Sequence, residues 1–272
     1  GSSALGVNTS GSNNVAVGSN TLDANTSGTL NVAVGMHALG GNTTASNNTA
    51  VGNDALKTNT TGTFNTAVGA ESLDAATTAD SNTAVGYRTL TNTTTGHSHT
   101  ALGLQALRDN TTGLSNTGIG NNCLLSNTTA SNNTAVGNAA MFFNTTGFQN
   151  TAVGSNALKQ NTTGSENTAV GNEALEANTT GAQNCGFGFR ALEDNTTANH
   201  NTAFGHETLK NNTTGTENTA VGANALDANT TANNNTAVGY ESMTSNTTGA
   251  ANTALGVQSL EDNTTGNNNT GI

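Results

Sequence analysis

Side chains of the kinds that catalyse reactions or bind metals are few in this sequence. Its 272 residues include five histidines, 17 acidic residues and two cysteines. The one close histidine pair, His97 and His99, could place two imidazoles on one side of a strand and bind a metal weakly. The other histidines and several glutamates stand where polar residues vary freely, which is typical of a solvated face; they are His37, His200, His206, Glu71, Glu173, Glu207 and Glu241. We therefore expect no catalytic residue, no metal or cofactor site and no enzyme activity.

A different chemistry is suggested by the Asn-Thr-Thr triplet, which occurs many times along the chain. Asn-x-Thr is the acceptor sequence for N-linked glycosylation. Acceptor asparagines would include Asn42, Asn110, Asn161 and Asn246. The alternative is that these asparagines only hydrogen-bond to one another, and the residues alone leave both interpretations open.

The spacing of these triplets is fixed by an internal repeat. A glycine recurs at every seventeenth residue from Gly1 to Gly256, with no insertion or deletion, so sixteen repeats of 17 residues account for residues 1–272. Numbering each repeat from its glycine gives 17 repeat positions. A strict period indicates stacked, identical coils. Because no atypical repeat stands at either end, we expect a single repeat array that is a fragment of a longer fibre.

Composition and charge narrow the possible functions. The formal net charge is -11, with only six Lys and Arg residues, which argues against binding to nucleic acid or to an anionic membrane. No apolar run is long enough to insert into a membrane. Aromatic residues make up 3% of the chain, and it has no tryptophan or proline. The sequence therefore predicts a thin repetitive structure without a round globular core.

Two repeat positions carry large apolar residues throughout. Position 5 is Leu or Met, and position 17 is Val, Leu, Ile or Phe. Alternation along the Thr-Ala-Val triplet at positions 15 to 17 predicts a short strand with Thr and Val pointing inward together. We expect an all-β parallel solenoid of sixteen coils whose core includes Val17, Leu22, Val34, Leu39, Val51, Leu56, Val153, Leu158, Val170 and Leu175.

If position 17 faces inward, position 16 faces outward, yet it is only Ala or Gly. Position 4 is also small, being Ala, Ser, Thr or, once, Cys123. Small residues on an outer face suggest that a second backbone packs against it. This interpretation predicts lateral association of chains, as a homotrimer or filament.

Glycine and asparagine define the corners of the predicted coil. The glycine at position 1 is invariant, which predicts a positive φ or a close backbone approach at Gly18, Gly35, Gly52, Gly154 and Gly171. Position 11 accepts alanine, so a positive φ is not expected there. Asparagine dominates positions 8 and 14, and stacked amides form ladders in repetitive β-structures. The predicted ladders include Asn42, Asn59, Asn110, Asn161 and Asn178 at position 8, and Asn150 and Asn167 at position 14.

Two departures from the repeat could mark special surfaces. Large apolar residues replace polar ones at Leu125, Phe142, Phe143 and Phe148, which predicts an exposed contact patch or local packing with a partner chain.

Cys123 and Cys185 stand at different positions three repeats apart, beyond the reach of a disulfide, and we expect both to be small buried fillers.

The phrase Asn-Thr-Ala-Val-Gly-x-x-Ala-Leu, as in residues 167–175, resembles known arrays. Val15-Ala16-Val17-Gly18 is similar to the Val-Ala-Ile-Gly phrase of trimeric autotransporter adhesin heads, and the whole repeat resembles Asn-Thr-Ala-Val-Gly arrays in tail-fibre-like proteins of phages and bacteria. The resemblance covers all sixteen repeats, although the repeat of 17 residues is longer than that of adhesin heads. It implies a parallel β-roll, a homotrimer and an extracellular, cell-surface or virion location.

These observations support one leading function and two alternatives. The leading hypothesis is the shaft of a fibre, acting as a spacer or adhesive stalk that contacts a surface glycan or host receptor. One alternative is an ice-binding solenoid that uses the ranks of threonine at positions 9 and 10. The other is an extracellular filament coated with glycans at position 8.

Overall fold

The computed structural model describes residues 1–272, which form an all-β parallel solenoid without helices. Each coil has 17 residues and contributes one short strand. The chain divides into two compact units, Gly1–Asn133 and Thr134–Ile272.

The strands of unit 1 pair in parallel, each with the strand one repeat further along. Thr49 pairs with Thr66, Ala50 with Ala67 and so on through the unit, always 17 residues apart. The strands are β1 (Val15–Val17), β2 (Val32–Val34), β3 (Thr49–Val51), β4 (Thr66–Val68), β5 (Thr83–Val85), β6 (Thr100–Leu102) and β7 (Thr117–Ile119).

Unit 2 repeats this arrangement with nine strands in the same register. Thr168, for example, pairs with Thr151 on one side and with Cys185 on the other. The strands are β8 (Thr134–Val136), β9 (Thr151–Val153), β10 (Thr168–Val170), β11 (Cys185–Phe187), β12 (Thr202–Phe204), β13 (Thr219–Val221), β14 (Thr236–Val238), β15 (Thr253–Leu255) and β16 (Thr270–Gly271).

Outside the strands, backbone groups also bond from coil to coil. The Leu158 N–H donates to the Ala174 carbonyl at 3.0 Å, and the Thr162 N–H donates to the Thr179 carbonyl at 2.9 Å. Buried backbone groups must find partners. Here the identical neighbouring coil supplies them, which explains why no insertion interrupts the repeat.

The core consists of the buried residues at positions 4, 5, 8, 11, 14 and 16 of the coils. Position 5 is fully buried from Leu22 to Leu124 in unit 1 and from Met141 to Met243 in unit 2. This confirms the predicted core residues Leu22, Leu39, Leu56, Leu158 and Leu175.

The predicted orientation of the strand is wrong. Position 16 points inward, and Ala50, Ala152 and their counterparts are fully buried, whereas position 17 points outward. A methyl group added at Gly186 would lie 3.4 Å from the Cδ1 atom of Leu175, so position 16 packs directly on the leucines. The valines predicted for the core are therefore half-buried or exposed on the outer face: Val17, Val34, Val51, Val153 and Val170.

This orientation removes the argument for lateral packing through small residues. Positions 4 and 16 are small because they fill a narrow interior beside the leucines of their own chain. Ala157 and Ala169, for example, are fully buried within unit 2. No second chain is needed to explain either position.

Position 1 has the predicted backbone conformation. The φ angles are 140° at Gly18, 135° at Gly35, 142° at Gly52, 136° at Gly154 and 139° at Gly171, in a region that L-residues rarely enter. A Cβ atom at Gly154 would also collide with the Gly171 carbonyl of the next coil. Position 11 is absent from the positive-φ residues, as expected.

Three further residues of each coil have positive φ although they are not glycine. They stand at positions 3, 5 and 13, as in Asn156, Leu158 and Glu166, with φ of 59°, 52° and 60°. A left-handed conformation costs roughly 1–2 kcal/mol for a residue with a Cβ. The coil thus accepts backbone strain at its bends, and the buried leucine itself lies at one of them.

Candidate functional site

The outer face of the strands is the most regular exposed surface of each unit. Position 15 is Thr in most coils, and position 17 is always apolar, so neither position carries a charge. Val153 is 37% exposed and Val221 is 37% exposed. The position-15 threonine hydroxyls, such as those of Thr151 and Thr168, make no hydrogen bond within the protein and face solvent. Two parallel ranks therefore cover this strand face, which is defined by positions 15 and 17.

Large apolar residues are also exposed at position 2 of some coils, two residues after position 17. In unit 1 they include Met36, Tyr87 and Leu104, and in unit 2 they include Phe189, Tyr240 and Val257. The apolar rank at position 17 runs through every coil, whereas large apolar residues occur at position 2 only in some coils. The sequence showed these residues, but their exposure became visible only once the strand orientation was known.

Aromatic side chains at positions 17 and 2 stack on one another in one part of unit 2. The rings of Phe187 and Phe204 stack with centroids 5.0 Å apart, and Phe189 stacks on His206 at 5.2 Å. Phe204 is 53% exposed. The guanidinium of Arg190 lies 4.9 Å from the centre of the Phe189 ring, a cation–π contact. This cluster of stacked aromatics was missed because its members were assigned to the core or to variable positions.

The threonines at positions 9 and 10 differ in what their hydroxyls do. At position 9 the hydroxyl is engaged: Thr162 Oγ1 donates to the Thr179 carbonyl at 3.0 Å, and Thr179 Oγ1 to that of Thr196 at 3.0 Å. Position 10, as in Thr163, is exposed. Only position 10 and the strand face therefore present free threonine hydroxyls.

Both predicted asparagine ladders are present in the interior. At position 8, Asn178 Nδ2 donates to Asn161 Oδ1 at 2.9 Å and to the Gly181 carbonyl at 3.0 Å. At position 14, the Asn167 N–H donates to Asn150 Oδ1 at 2.9 Å, and Asn167 Nδ2 donates to the Gly181 carbonyl at 2.8 Å. Each amide thereby ties its own coil to its neighbours.

Glycosylation at position 8 is incompatible with this structure. The candidate acceptors Asn42, Asn110, Asn161 and Asn246 are all fully buried. The nitrogen that would carry the sugar already donates hydrogen bonds, from Asn42 to Asn25 Oδ1 at 2.9 Å and to the Ala45 carbonyl at 3.1 Å. The asparagine of the Asn-Thr-Thr triplet is therefore a buried residue that hydrogen-bonds within the coil and to its neighbour.

The two histidines of the possible metal pair lie in different environments. His97 is exposed, whereas His99 is buried at position 14, where it replaces a ladder asparagine. His99 Nε2 lies 2.7 Å from the Gly113 carbonyl, and the Asn116 N–H donates to His99 Nδ1 at 3.1 Å. A neutral ring protonated on Nε2 satisfies both contacts and copies the amide it replaces. Burial lowers the pKa of His99 to about 4, an effect that hydrogen bonds oppose and the charge of His97 reinforces.

A group of three carboxylates in unit 2 has spacing that could suit a cation. Glu173, Glu176 and Glu193 place oxygen atoms within 4.8 Å of one another. Arg190 Nε lies 2.7 Å from Glu173 Oε2, and Lys159 Nζ lies 3.4 Å from Glu176 Oε1. Burial raises the pKa of Glu193, and the charge of Arg190 opposes that shift. With these basic side chains beside it, the group is best described as an ion-pair cluster.

The predicted contact patch is only partly exposed. Leu125 in unit 1 is buried, with 7% exposure, and so does not belong to a surface patch. In unit 2, Phe142 is half-buried and meets Phe143 edge-to-face at 4.6 Å, while Phe143 and Phe148 are exposed.

Both cysteines are free thiols. Cys123 is buried at position 4, and burial raises its pKa to about 12. Cys185 is half-buried on the strand face, so the expectation of a buried filler is correct for Cys123 alone.

A slot interrupts the outer surface of unit 1 where coil 3 has Gly40 and Gly41 at positions 6 and 7. It is open to solvent, has a volume of about 400 Å³ and is lined by Asn20, Asp23, His37, Gly40, Gly41, Lys57 and Thr58. Beside it, His37 Nδ1 lies 3.0 Å from Asp54 Oδ1, and Lys57 Nζ lies 3.5 Å from the same oxygen. The sequence contains the signal for this slot, two glycines where the neighbouring coils carry side chains.

No protein-family model matches the sequence, and no curated protein matches it. The structure contains no helix with the length and hydropathy required to cross a membrane.

Proposed function

We propose that this chain is a non-catalytic structural array in an extracellular, cell-surface or virion fibre, where it serves as a spacer or adhesive stalk. The observation that carries the proposal is the pair of buried asparagine ladders, which join most neighbouring coils within each unit. In such ladders the asparagine side chain of one coil hydrogen-bonds to the asparagine at the same position of the neighbouring coil, so the two coils must match. This arrangement is suited to a stiff repetitive element. The resemblance to adhesin heads and tail-fibre arrays supports the same function.

We further propose that the chains associate side by side through the strand face, as a homotrimer or filament. Positions 15 and 17 carry no charge, although the chain as a whole has a net charge of -11. An uncharged face lets like-charged chains approach without placing repelling groups in contact. Half-exposed Val153, Val221 and Phe204 would be covered by this contact.

Light scattering coupled to size-exclusion chromatography tests the association. We expect a mass of three chains or more for the natural protein, and a shift to one chain for Val221→Lys combined with Phe204→Lys. Thr214→Lys, at exposed position 10, provides the matched control and should leave the mass unchanged. A natural protein that runs as a single chain at high concentration would refute lateral association. Small-angle X-ray scattering tests the stiffness, and a profile typical of a flexible chain would refute a stiff array.

A second candidate, ice binding, is favoured by one specific observation on the same face. Free threonine hydroxyls at position 15 stand beside an apolar rank at position 17. The ranks repeat every ~4.8 Å along the stack and lie roughly 7 Å apart across the strand. This two-rank array replaces the position-9 and position-10 ranks predicted from sequence, since position 9 has engaged hydroxyls.

Thermal hysteresis distinguishes this candidate from the first. Ice binding requires that Thr168→Lys on the strand face abolish hysteresis while Thr180→Lys at position 10 leaves it intact. If the purified protein shows no hysteresis at high concentration, the strand face does not bind ice. The two candidates compete, because a face covered by a second chain is not available to ice.

A further inference from the structure

At the slot formed by Gly40 and Gly41, the missing outer side chains of one coil leave an open cavity in the surface of unit 1. Positions 6 and 7 of the adjoining coils carry Asp23, Lys57 and Thr58, which stand on either side of the two glycines. Because parallel coils repeat every ~4.8 Å, omitting the side chains of one coil leaves a space one layer thick between its neighbours.

The polar groups on one wall of the slot are not engaged within the protein. The side chains of Asn20 and Asp23 make no hydrogen bond or ion pair in unit 1. Oxygen Oδ1 of Asp23 comes within 3.4 Å of where a Cβ atom at Gly40 would stand, so this carboxylate reaches over the floor of the slot. A free carboxylate and a free carboxamide side by side offer both acceptors and donors to a ligand.

The other wall and the floor have a different character. Lys57 is already held near Asp54, so its methylene groups contribute to the wall while its charge is partly neutralised. The floor consists of the Gly40–Gly41 backbone. The occupant should therefore be about one layer thick, with aliphatic C–H surface toward Lys57 and the glycines and hydroxyl groups toward Asn20 and Asp23.

We propose that this slot binds a single sugar ring of a saccharide. A saturated six-membered ring has the thickness of one side-chain layer. Its hydroxyls can donate to the Asp23 carboxylate and pair with both ends of the Asn20 amide, while its C–H face lies on the glycines. This inference rests on the proposed function of an adhesive stalk. The proposal that the chain is a structural array does not depend on it.

Titration of the whole chain with methyl glycosides, followed by NMR, tests the site. The probes are the methyl glycosides of glucose, galactose and N-acetylglucosamine. We expect shifts of the Gly40 and Gly41 amide signals with at least one of them, with a dissociation constant on the order of 1 mM. Gly40→Thr fills the slot with a residue that stands at position 6 in other coils, and Asp23→Asn removes the charged acceptor. Each should weaken binding about tenfold, or roughly 1.4 kcal/mol.

The matched control is Asp194→Asn, which neutralises an exposed aspartate in unit 2 and should leave binding unchanged. Absence of shifts with all three glycosides, or a dissociation constant that Gly40→Thr leaves unchanged, would overturn the proposal. Equal shifts with methylammonium chloride would also overturn it, because they would identify a simple cation site. Since light scattering measures association separately, failure of the sugar site and failure of the fibre proposal can be told apart.

Discussion

The position-8 ladder of unit 1 is interrupted, and repairing it should stabilise the protein. Asn59 Nδ2 donates to Asn42 Oδ1 at 3.1 Å, but the next coil has Ala76, so Asn59 Oδ1 is buried without a partner. The following coil has Thr93, whose hydroxyl donates to the Asn110 carbonyl at 3.2 Å. Thr93 Oγ1 in turn accepts from Asn110 Nδ2 at 3.2 Å, so the ladder is broken at Ala76 alone.

The backbone around the interruption is unchanged, so asparagine should fit there. The Ala76 N–H donates to the Leu73 carbonyl at 3.2 Å, as the Asn59 N–H does to that of Leu56 at 3.3 Å. An asparagine at residue 76 would reach Asn59 Oδ1 and the Ala79 carbonyl. Its own Oδ1 would then need a donor, which an asparagine at residue 93 would supply.

The expected gain follows from the bonds that are restored. A buried acceptor without a partner costs about 1–3 kcal/mol, and each added hydrogen bond contributes about 1 kcal/mol. We expect Ala76→Asn with Thr93→Asn to raise the free energy of unfolding by about 2–4 kcal/mol. Ala76→Asn alone should gain less than the double variant, because it adds hydrogen bonds but moves the unpaired oxygen from Asn59 to residue 76.

Urea unfolding of the three variants measures the effect, provided that the m-value is unchanged. Ala75→Asn is the matched control, since it adds the same side chain to the outer side of the coil and should change stability by less than about 0.5 kcal/mol. A double variant no more stable than the natural chain would refute the role given to the ladder. Full stabilisation by Ala76→Asn alone would refute the argument from the unpaired oxygen.

Three other perturbations test the orientation, the titration and the strain of the coil. Leu158→Ala should lower the free energy of unfolding in urea by about 2–5 kcal/mol and Val153→Ala by less than about 1.5 kcal/mol, because only the leucine is in the core. Equal losses would show that the valine also points into the core, as the sequence had predicted. The unfolded chain binds a proton at His99 below its ordinary pKa of 6.5 while the folded chain stays neutral down to about 4. Stability should therefore fall by about 3 kcal/mol as pH drops through that range, and a His99→Asn variant whose pH profile matches that of the natural chain would contradict this assignment. Ala251→Gly, at φ 57°, should stabilise by about 0.5–1 kcal/mol, whereas Ala250→Gly next to it should destabilise by about as much; thermal melts in which both variants lose stability would show that the left-handed bend is not strained.

The period, the solenoid, the leucine core, the ladders and the turn glycines could all be predicted from the sequence. Each leaves a direct trace, because a position with one strict requirement accepts one residue type. Gly154 and Asn178 are examples. These features are local to a position and do not depend on which side of the strand faces inward.

Strand orientation could not be fixed by alternation, since a triplet has two possible orientations and a one-residue change reverses every side chain. A better signal was size tolerance. Position 17 accepts residues from Val170 to Phe187, whereas position 16 accepts only Ala or Gly. A close-packed interior does not tolerate such differences in volume, so the uniform position is the inner one.

The left-handed bends left no comparable trace. Residues as different as Glu166, His200 and Ala251 share positive φ at position 13, because the hydrogen bonds between coils impose the conformation whatever the side chain. The slot was missed for another reason. Its glycines are informative only when the side chains of the adjoining coils are known to flank them.

The exact 17-residue period also has a genetic consequence. Within each unit, a coil bonds only to the coil before and the coil after it. A gene that gains or loses one whole repeat by recombination keeps its reading frame, and the protein it encodes still closes every ladder across the new junction. We therefore expect the length of such an array to change readily in steps of one repeat during evolution, while changes of any other length are eliminated.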